Sequence, residues 1–243
     1  MTQSPGAASR TTEDVPGARG IAANGVASAN GRSTVALVDD DPDVVRSITR
    51  LLAVSGYDVR AFSSPDSLLA EIASVAPACV ISDLSMPGLT GLELQSRLKE
   101  SNSLCSIVFV TAHGDIRTSV LAMRNGAVDF LTKPFEQADL LDAIGRGLAR
   151  SRYAWERAER VAAMRRRVES LTEREMEVYR QVVAGLLNKQ IAANLGISEK
   201  TVKVHRARVM RKMGLRSVAQ LARLAERFRT DCRDAVSSER SFI

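Results

Sequence analysis

The chain has 243 residues, 45% of them apolar, and a formal net charge of +6; at roughly 150 residues per domain this is one or two domains with material for a sizeable core. No run approaches the roughly 18 apolar residues of a membrane span, the N-terminus lacks the order of a signal peptide, and Cys79, Cys105 and Cys232 lie far apart without CxxC spacing, so a cytoplasmic chain without a membrane partner, disulfide framework or zinc site is expected. Residues 34–148 carry a net charge of −6 and residues 149–243 a net charge of +11, which points to two domains with different partners, the basic one a candidate for a polyanion.

Residues 1–33 are rich in Ala, Gly, Ser, Asn and Thr, with no apolar periodicity and no aromatic residue. Such a segment cannot offset its ordering entropy by burial, so a disordered tail is expected. From Thr34 a regular alternation begins. Apolar runs at Val35–Val38, Tyr57–Phe62, Ala78–Ser82, Ile107–Val110 and Val128–Leu131 predict five strands. Each is followed by helical spacing: Val44, Val45, Ile48, Leu51 and Leu52; Leu68, Leu69 and Ile72; Leu92, Leu94 and Leu98; Ile116, Val120 and Met123; Leu140, Leu141, Ile144 and Leu148. Strands alternating with helices predict an α/β fold around a five-stranded parallel sheet over residues 34–148. Runs as apolar as VALV, CVIS and IVFV suit strands buried on both faces.

Residues 149–168 are mostly charged, hold seven arginines from Arg150 to Arg167, and contain neither Pro nor Gly. They predict a helical linker continuing the fifth helix. Residues 169–243 then predict a small all-α domain of four helices. Thr172 and Glu175 form a capping box opening a helix to about Ala184, with Gly185 as its stop. A second helix spans Asn188 to Leu195, and after Gly196-Ile197 Ser198 caps a third that runs to about Met213. Ser217 and Gln220 make a capping box for a fourth. Helix, short Gly-containing turn, helix is the helix-turn-helix plan.

Ligand sites of open α/β sheets lie at the carboxyl ends of the strands. Asp39, Asp40 and Asp41 follow the first strand, Asp83 the third, Thr111 the fourth and Lys133 the fifth. Carboxylates converging on one rim repel unless a cation neutralises them, and hard oxygen ligands suit Mg²⁺. An aspartate so placed can attack a phosphoryl group, with a lysine and a hydroxyl to grip the transferred oxygens. Asp41, before Pro42, is equally a helix N-cap.

In the third helix of the basic domain, at 100° per residue, Val202, Val209 and Met213 share one side, with Ile191, Leu195 and Ile197 as packing partners. Lys200, Val204, Ala207, Arg208 and Arg211 lie opposite, Lys203 at the edge, and His205 toward the packed side as a structural residue. A basic face with small apolar residues at its centre suits a recognition helix, cations reaching phosphates or guanine edges while Val204 and Ala207 approach thymine methyls.

Residues 34–148 resemble a CheY-like receiver domain through VDDD at 38–41, SDLSMPGLTG at 82–91, TAHGD at 111–115 and DFLTKPF at 129–135. The resemblance implies a flavodoxin-like strand order 2-1-3-4-5 and a cis Lys133–Pro134 bond. It makes Asp83 the phosphoacceptor, Thr111 the switch hydroxyl, Lys133 the phosphate-binding lysine and Phe130 the rotating aromatic residue. Asp39, Asp40, Asp83 and the Ser85 backbone carbonyl are the implied Mg²⁺ ligands. The segment beginning LTEREMEVYR at 171 resembles the LuxR-type helix-turn-helix, and the two together resemble response regulators of the FixJ/NarL family. This implies base contacts from Lys203, Val204 and Ala207 and backbone contacts from Lys189, Ser198, Thr201, Arg206, Arg208 and Arg211. Some family members carry a longer polar residue where Ala207 stands. The implied partners are a sensor histidine kinase, double-stranded promoter DNA, a second copy of the chain after phosphorylation, and RNA polymerase. The implied function is phosphorylation-activated transcriptional regulation, with no enzyme activity beyond the receiver's own phosphoacceptor and slow autodephosphorylation chemistry.

Two other readings compete. VALVDDDPD is also an apolar strand followed by DxD, the opening of haloacid-dehalogenase-type phosphatases with Asp39 as nucleophile, but Pro42-Asp43 stands where that motif has a small pair and no late acidic pair follows Lys133. A phospho-dependent protein-binding regulator whose basic domain is vestigial or binds RNA is the other.

Overall fold

In a computed structural model of the protein, residues 33–112 and 115–240 are described, except for the side chains of 232–240. The expected tail, His113 and Gly114 of the TAHGD motif, and the Cys232 side chain lie outside the described part.

The strands are β1 (Thr34–Val38), β2 (Asp58–Phe62), β3 (Cys79–Ser82), β4 (Ser106–Thr111) and β5 (Asp129–Thr132). All neighbours pair in parallel in the order β2-β1-β3-β4-β5. Predicted strand ends shift by one residue or so, because pairing with a neighbour decides where a ladder stops. Side chains alternate across the sheet. Val35 and Leu37 of β1 join Ile81 and Val108 under α1 (Pro42–Val54) and the start of α5 (Gln137–Glu169), where Leu52, Leu140, Ala143 and Ile144 are buried. Ala36 and Val38 face the other way with Val80 and Phe109, under α2 (Pro65–Val75), α3 (Gly91–Glu100) and α4 (Ile116–Arg124). Two helices on one face and three on the other bury the central strands twice, which is why their sequences are continuously apolar.

Capping sets the helix starts. Asp41 accepts from Asp43 N at 2.8 Å and precedes Pro42, and Thr90 and Glu93 form a reciprocal box at α3. The Lys133–Pro134 bond is cis.

Helix α5 is one uninterrupted element of 33 residues, about 50 Å long at 1.5 Å per residue. One face of its first half, with Leu140, Ala143 and Ile144, packs against the sheet. Its second half, the expected linker, is more than a solvated spacer: Met164 is buried and Val168 half-buried in a third core. That core belongs to α6 (Glu173–Val183), α7 (Asn188–Leu195), α8 (Glu199–Met213) and α9 (Val218–Arg240), and contains Val178, Val182, Ile191, Val202, Val209, Met213 and Leu221. Thr172 and Glu175 form the expected capping box, and Ser198 caps α8 by accepting from Thr201 N at 3.1 Å. Gly196 ends α7 in the left-handed region, with φ +64, where a side chain would be strained. The start of α9 departs from the expected box. Ser217 accepts from Gln220 N, but the Gln220 side chain turns one residue further back to accept from Arg216 N at 3.0 Å.

Candidate acidic site and nucleic-acid interface

The acidic site is built from two adjacent strand ends. Asp39 and Asp40 leave β1 and Asp83 leaves β3, and parallel pairing holds β1 and β3 in register up to Val38 and Ser82. Asp83 N continues the ladder by donating to Val38 O at 2.8 Å. One carboxylate oxygen from each of Asp39, Asp40 and Asp83 lies within 4.8 Å of the others. Their surroundings differ. Asp39 is 2% exposed, and both its oxygens are engaged: Oδ1 accepts from Asp41 N at 2.9 Å, and Oδ2 accepts from Lys133 Nζ at 2.7 Å. Asp40 is exposed and Asp83 half-buried, its Oδ1 accepting from Leu84 N at 2.8 Å.

Lys133 extends from just beyond β5, where its N–H donates to Thr111 O at 2.8 Å. Its ammonium pairs with Asp39, not with Asp83, and thus offsets part of the rim's negative charge. Thr111 is buried at the end of β4, in register with Thr132. Ser85 is exposed in the loop two residues past Asp83. Phe130 is half-buried on β5, its ring 6.3 Å from that of Phe109 and tilted 50° to it. On its outer side Phe130 borders an open cavity of about 330 Å³ with Leu131, Pro134, Phe135, Glu136 and Asp139.

Gly91 is a site residue that sequence reasoning passed over. A Cβ there would stand 2.4 Å from Asp83 O and 3.0 Å from the Phe109 ring, so the first turn of α3 lies directly on the backbone of Asp83. The available signal was a glycine at a helix start behind a Thr cap, where no turn calls for one. Beside the site, α4 exposes Ile116 (82%), Val120 (44%) and Met123 (44%) along one stripe.

On α8 the two faces separate as the periodicity predicts. Val202, Val209 and Met213 are fully buried, while Lys200, Lys203, Ala207, Arg208 and Arg211 are exposed and Val204 is 46% exposed at the centre of the basic face. Lys189 is exposed near the start of α7, Ser198 is exposed at the α8 cap, and Thr201 is half-buried with its hydroxyl 2.8 Å from that of Ser198. Arg206 is placed differently from the other expected backbone contacts. It is half-buried and donates to Asn188 Oδ1 at 2.7 Å, tying α8 to the start of α7. His205 is half-buried, and its Nδ1 has no hydrogen-bond partner among the described residues. Below, Glu175 is 3% exposed and accepts from Lys212 Nζ at 2.6 Å and Thr172 N at 3.0 Å. The Lys212 ammonium, then the Thr172 amide, hold its carboxyl down at about 2. Burial pushes the Cys79 and Cys105 thiols up, which disfavours their thiolate forms.

A parallel sheet with a carboxylate rim, carried on one helix into a helix-turn-helix, defines a DNA-binding regulator with a separate receiver domain. Residues 35–145 match the response regulator receiver domain, and residues 169–225 match the bacterial regulatory proteins of the luxR family. Nodulation protein W of Bradyrhizobium diazoefficiens is 42% identical over 202 residues, covering 83% of this chain and 89% of that one. The transcriptional regulatory protein FixJ of Rhizobium meliloti is 39% identical over 192 residues, covering 79% and 94%. The solved structure of the response regulator StyR superimposes with a TM-score of 0.75 at 42% identity, covering 81% of this chain and 99% of that one. The chain belongs to the two-component response regulators that join a receiver to a LuxR-type DNA-binding domain, and it is a transcriptional regulator. The phosphatase reading of VALVDDDPD falls with this assignment. No described helix is long and apolar enough to cross a membrane.

Proposed function

We propose that Asp83 is the phosphoacceptor and that its phosphorylation by a sensor histidine kinase drives promoter binding. The observation that carries this is the convergence of Asp39, Asp40 and Asp83 beside Lys133. A carboxylate oxygen of Asp83 attacks the phosphorus of the kinase's phosphohistidine; an O–P bond forms, the N–P bond breaks, and the imidazole leaves. Three hard oxygen donors on one rim fit Mg²⁺, held by Asp39, Asp40 and Asp83 with the Ser85 backbone carbonyl as a further ligand. Bound there, it would offset charge on the attacking carboxylate and the transferred oxygens. Lys133 and the Thr111 hydroxyl take up those oxygens. Water later attacks the same phosphorus, releasing inorganic phosphate and restoring Asp83, the one slow turnover of the receiver.

Thr111, drawn toward the phosphoryl group, vacates space that Phe130 enters. The phosphoryl group selects this state by contacting it better, a population shift rather than a push. The remodelled surface is that of α4, β5 and α5, where Ile116, Val120 and Met123 already form an uncovered apolar stripe. A second copy of the chain covers it. The dimer presents two α8 helices to half-sites about one helical turn apart. Lys203, Val204 and Ala207 read bases, and Lys189, Ser198, Thr201, Arg208 and Arg211 hold phosphates. Arg206, engaged by Asn188, acts first on the placing of α8 and reaches the backbone only if that bond opens. Bound beside a promoter, the dimer meets RNA polymerase.

Incubation with acetyl phosphate and Mg²⁺, followed by phosphate-affinity electrophoresis, tests the acceptor. Wild type should shift and Asp83→Asn should not; an Asp83→Asn protein still labelled on aspartate refutes it. Sedimentation with beryllofluoride tests association, an unchanged mass counting against the dimer.

A further inference from the structure

The C-terminal ends of α5 and α8 meet, and each carries the cation that serves the other. A helix end leaves its last carbonyls without intrahelical partners and bears a partial negative charge, so two such ends brought together repel unless cations intervene. Arg167, in the last turn of α5, donates from Nη1 to Met213 O, the final carbonyl of α8, at 3.1 Å. Lys212, in the last turn of α8, donates from Nζ to Ser170 O at the α5 cap, at 2.8 Å. Lys212 is fixed in turn by buried Glu175, 2.6 Å away. Beneath this exchange Met164 and Val168 share the core with Val209 and Met213.

We propose that Arg167 is a positioning residue for sequence reading: its bond to Met213, reciprocated by Lys212 on Ser170, sets the angle at which α8 enters DNA. The proposal rests on the reading of α8 as the recognition helix. The geometry gives the contact leverage. Helix α8 has 15 residues, and Ala207 lies about 12 Å along it from Glu199, so a tilt of about 5° about the N-terminus displaces Ala207 by about 1 Å. Base-edge bonding tolerates about 0.5 Å of misplacement. Attraction to phosphates falls off slowly with distance and survives such a tilt. Loss of the clamp therefore lowers discrimination before it lowers affinity, whereas loss of stability alone lowers binding to all DNA alike.

The test uses full-length protein with beryllofluoride, a duplex selected by the wild type from a random pool, and a scrambled duplex of equal length. Arg167→Met keeps the aliphatic stem and removes the donor, and should lose about five- to tenfold affinity for the selected duplex, the size of one lost base contact, with under about twofold loss on the scrambled one. Arg167→Lys, which retains one donor for Met213 O, should recover most of the difference. Equal losses on the two duplexes, or no loss, overturn the proposal, as does an Arg167→Met protein whose thermal midpoint falls while its discrimination holds. Val204→Ala separates the two readings. If it loses discrimination and Arg167→Met does not, only the clamp fails. If the wild type selects no duplex at all, the reading of α8 fails and the clamp with it.

Discussion

Gly91→Ala should damage the acidic site by moving the backbone of Asp83. The added methyl would lie 2.4 Å from Asp83 O, 3.0 Å from Leu84 Cα and 3.0 Å from the Phe109 ring. Two of these neighbours are backbone and the third is a fully buried ring, so none can swing aside as a flexible side-chain end could. A carbon and an oxygen normally stop roughly 3.2 Å apart, so strand end and helix must separate by several tenths of an ångström. Overpacking of this kind costs about 1–3 kcal/mol. Near the middle of that range the receiver's thermal midpoint falls by about 10 °C. The displacement falls on the residue that carries the acceptor, so the rate of labelling by acetyl phosphate should drop as well, even well below the melting transition. Gly145→Ala is the control. It sits exposed in α5 with nothing within 4 Å of an added Cβ, and alanine should stabilise it by about 0.5–1 kcal/mol through helix propensity. Calorimetry and phosphate-affinity electrophoresis on both variants decide the matter. A Gly91→Ala protein with wild-type midpoint and labelling rate refutes the close approach of α3 to Asp83.

Glu175 titrates well below an ordinary carboxylate, at about 2, so its contribution is complete above the unfolded value near 4.5 and is lost as pH falls from about 5 toward 2. Denaturation of the helical domain followed by circular dichroism should show this loss, and Glu175→Gln should flatten it; a slope identical in both proteins would dismiss the Lys212 contact as the cause. Arg211→Ala should weaken binding to selected and scrambled duplexes alike and lower the salt slope by about one unit. Val204→Ala should weaken the selected duplex more than the scrambled one, by about 1 kcal/mol, and equal losses at two salt concentrations would remove Val204 from the base-reading set. Thr111→Ala should still be labelled on Asp83 yet fail to gain mass with beryllofluoride, and a normal mass increase by sedimentation would sever Thr111 from the switch.

The elements of this protein are written locally. Period-two alternation in Val35–Val38 places Val35 and Leu37 on one face and Ala36 and Val38 on the other, because a strand's geometry points neighbours oppositely whatever surrounds it. Helix starts at Asp41, Thr90, Thr172 and Ser198 follow from side chains reaching amides two or three residues away, a bond that needs no tertiary partner. The 3.6-residue period likewise divided α8 into a buried face with Val202 and Val209 and an open one with Val204 and Ala207. Strand ends, and with them the acidic rim, inherit that legibility. The partners of long side chains do not. Lys133 meets Asp39 across 94 positions of sequence, Arg206 turns to Asn188 rather than outward, and Arg167 reaches Met213. The second half of α5, charged enough to look like a solvated spacer, yields Met164 to the helical core. Gly91 has no local reason to be glycine until α3 is laid on Asp83. Periodicity and capping are settled within a turn of chain, whereas a flexible cation, or a missing Cβ, answers to whatever packing brings within a few ångströms, and only the folded molecule decides what that is.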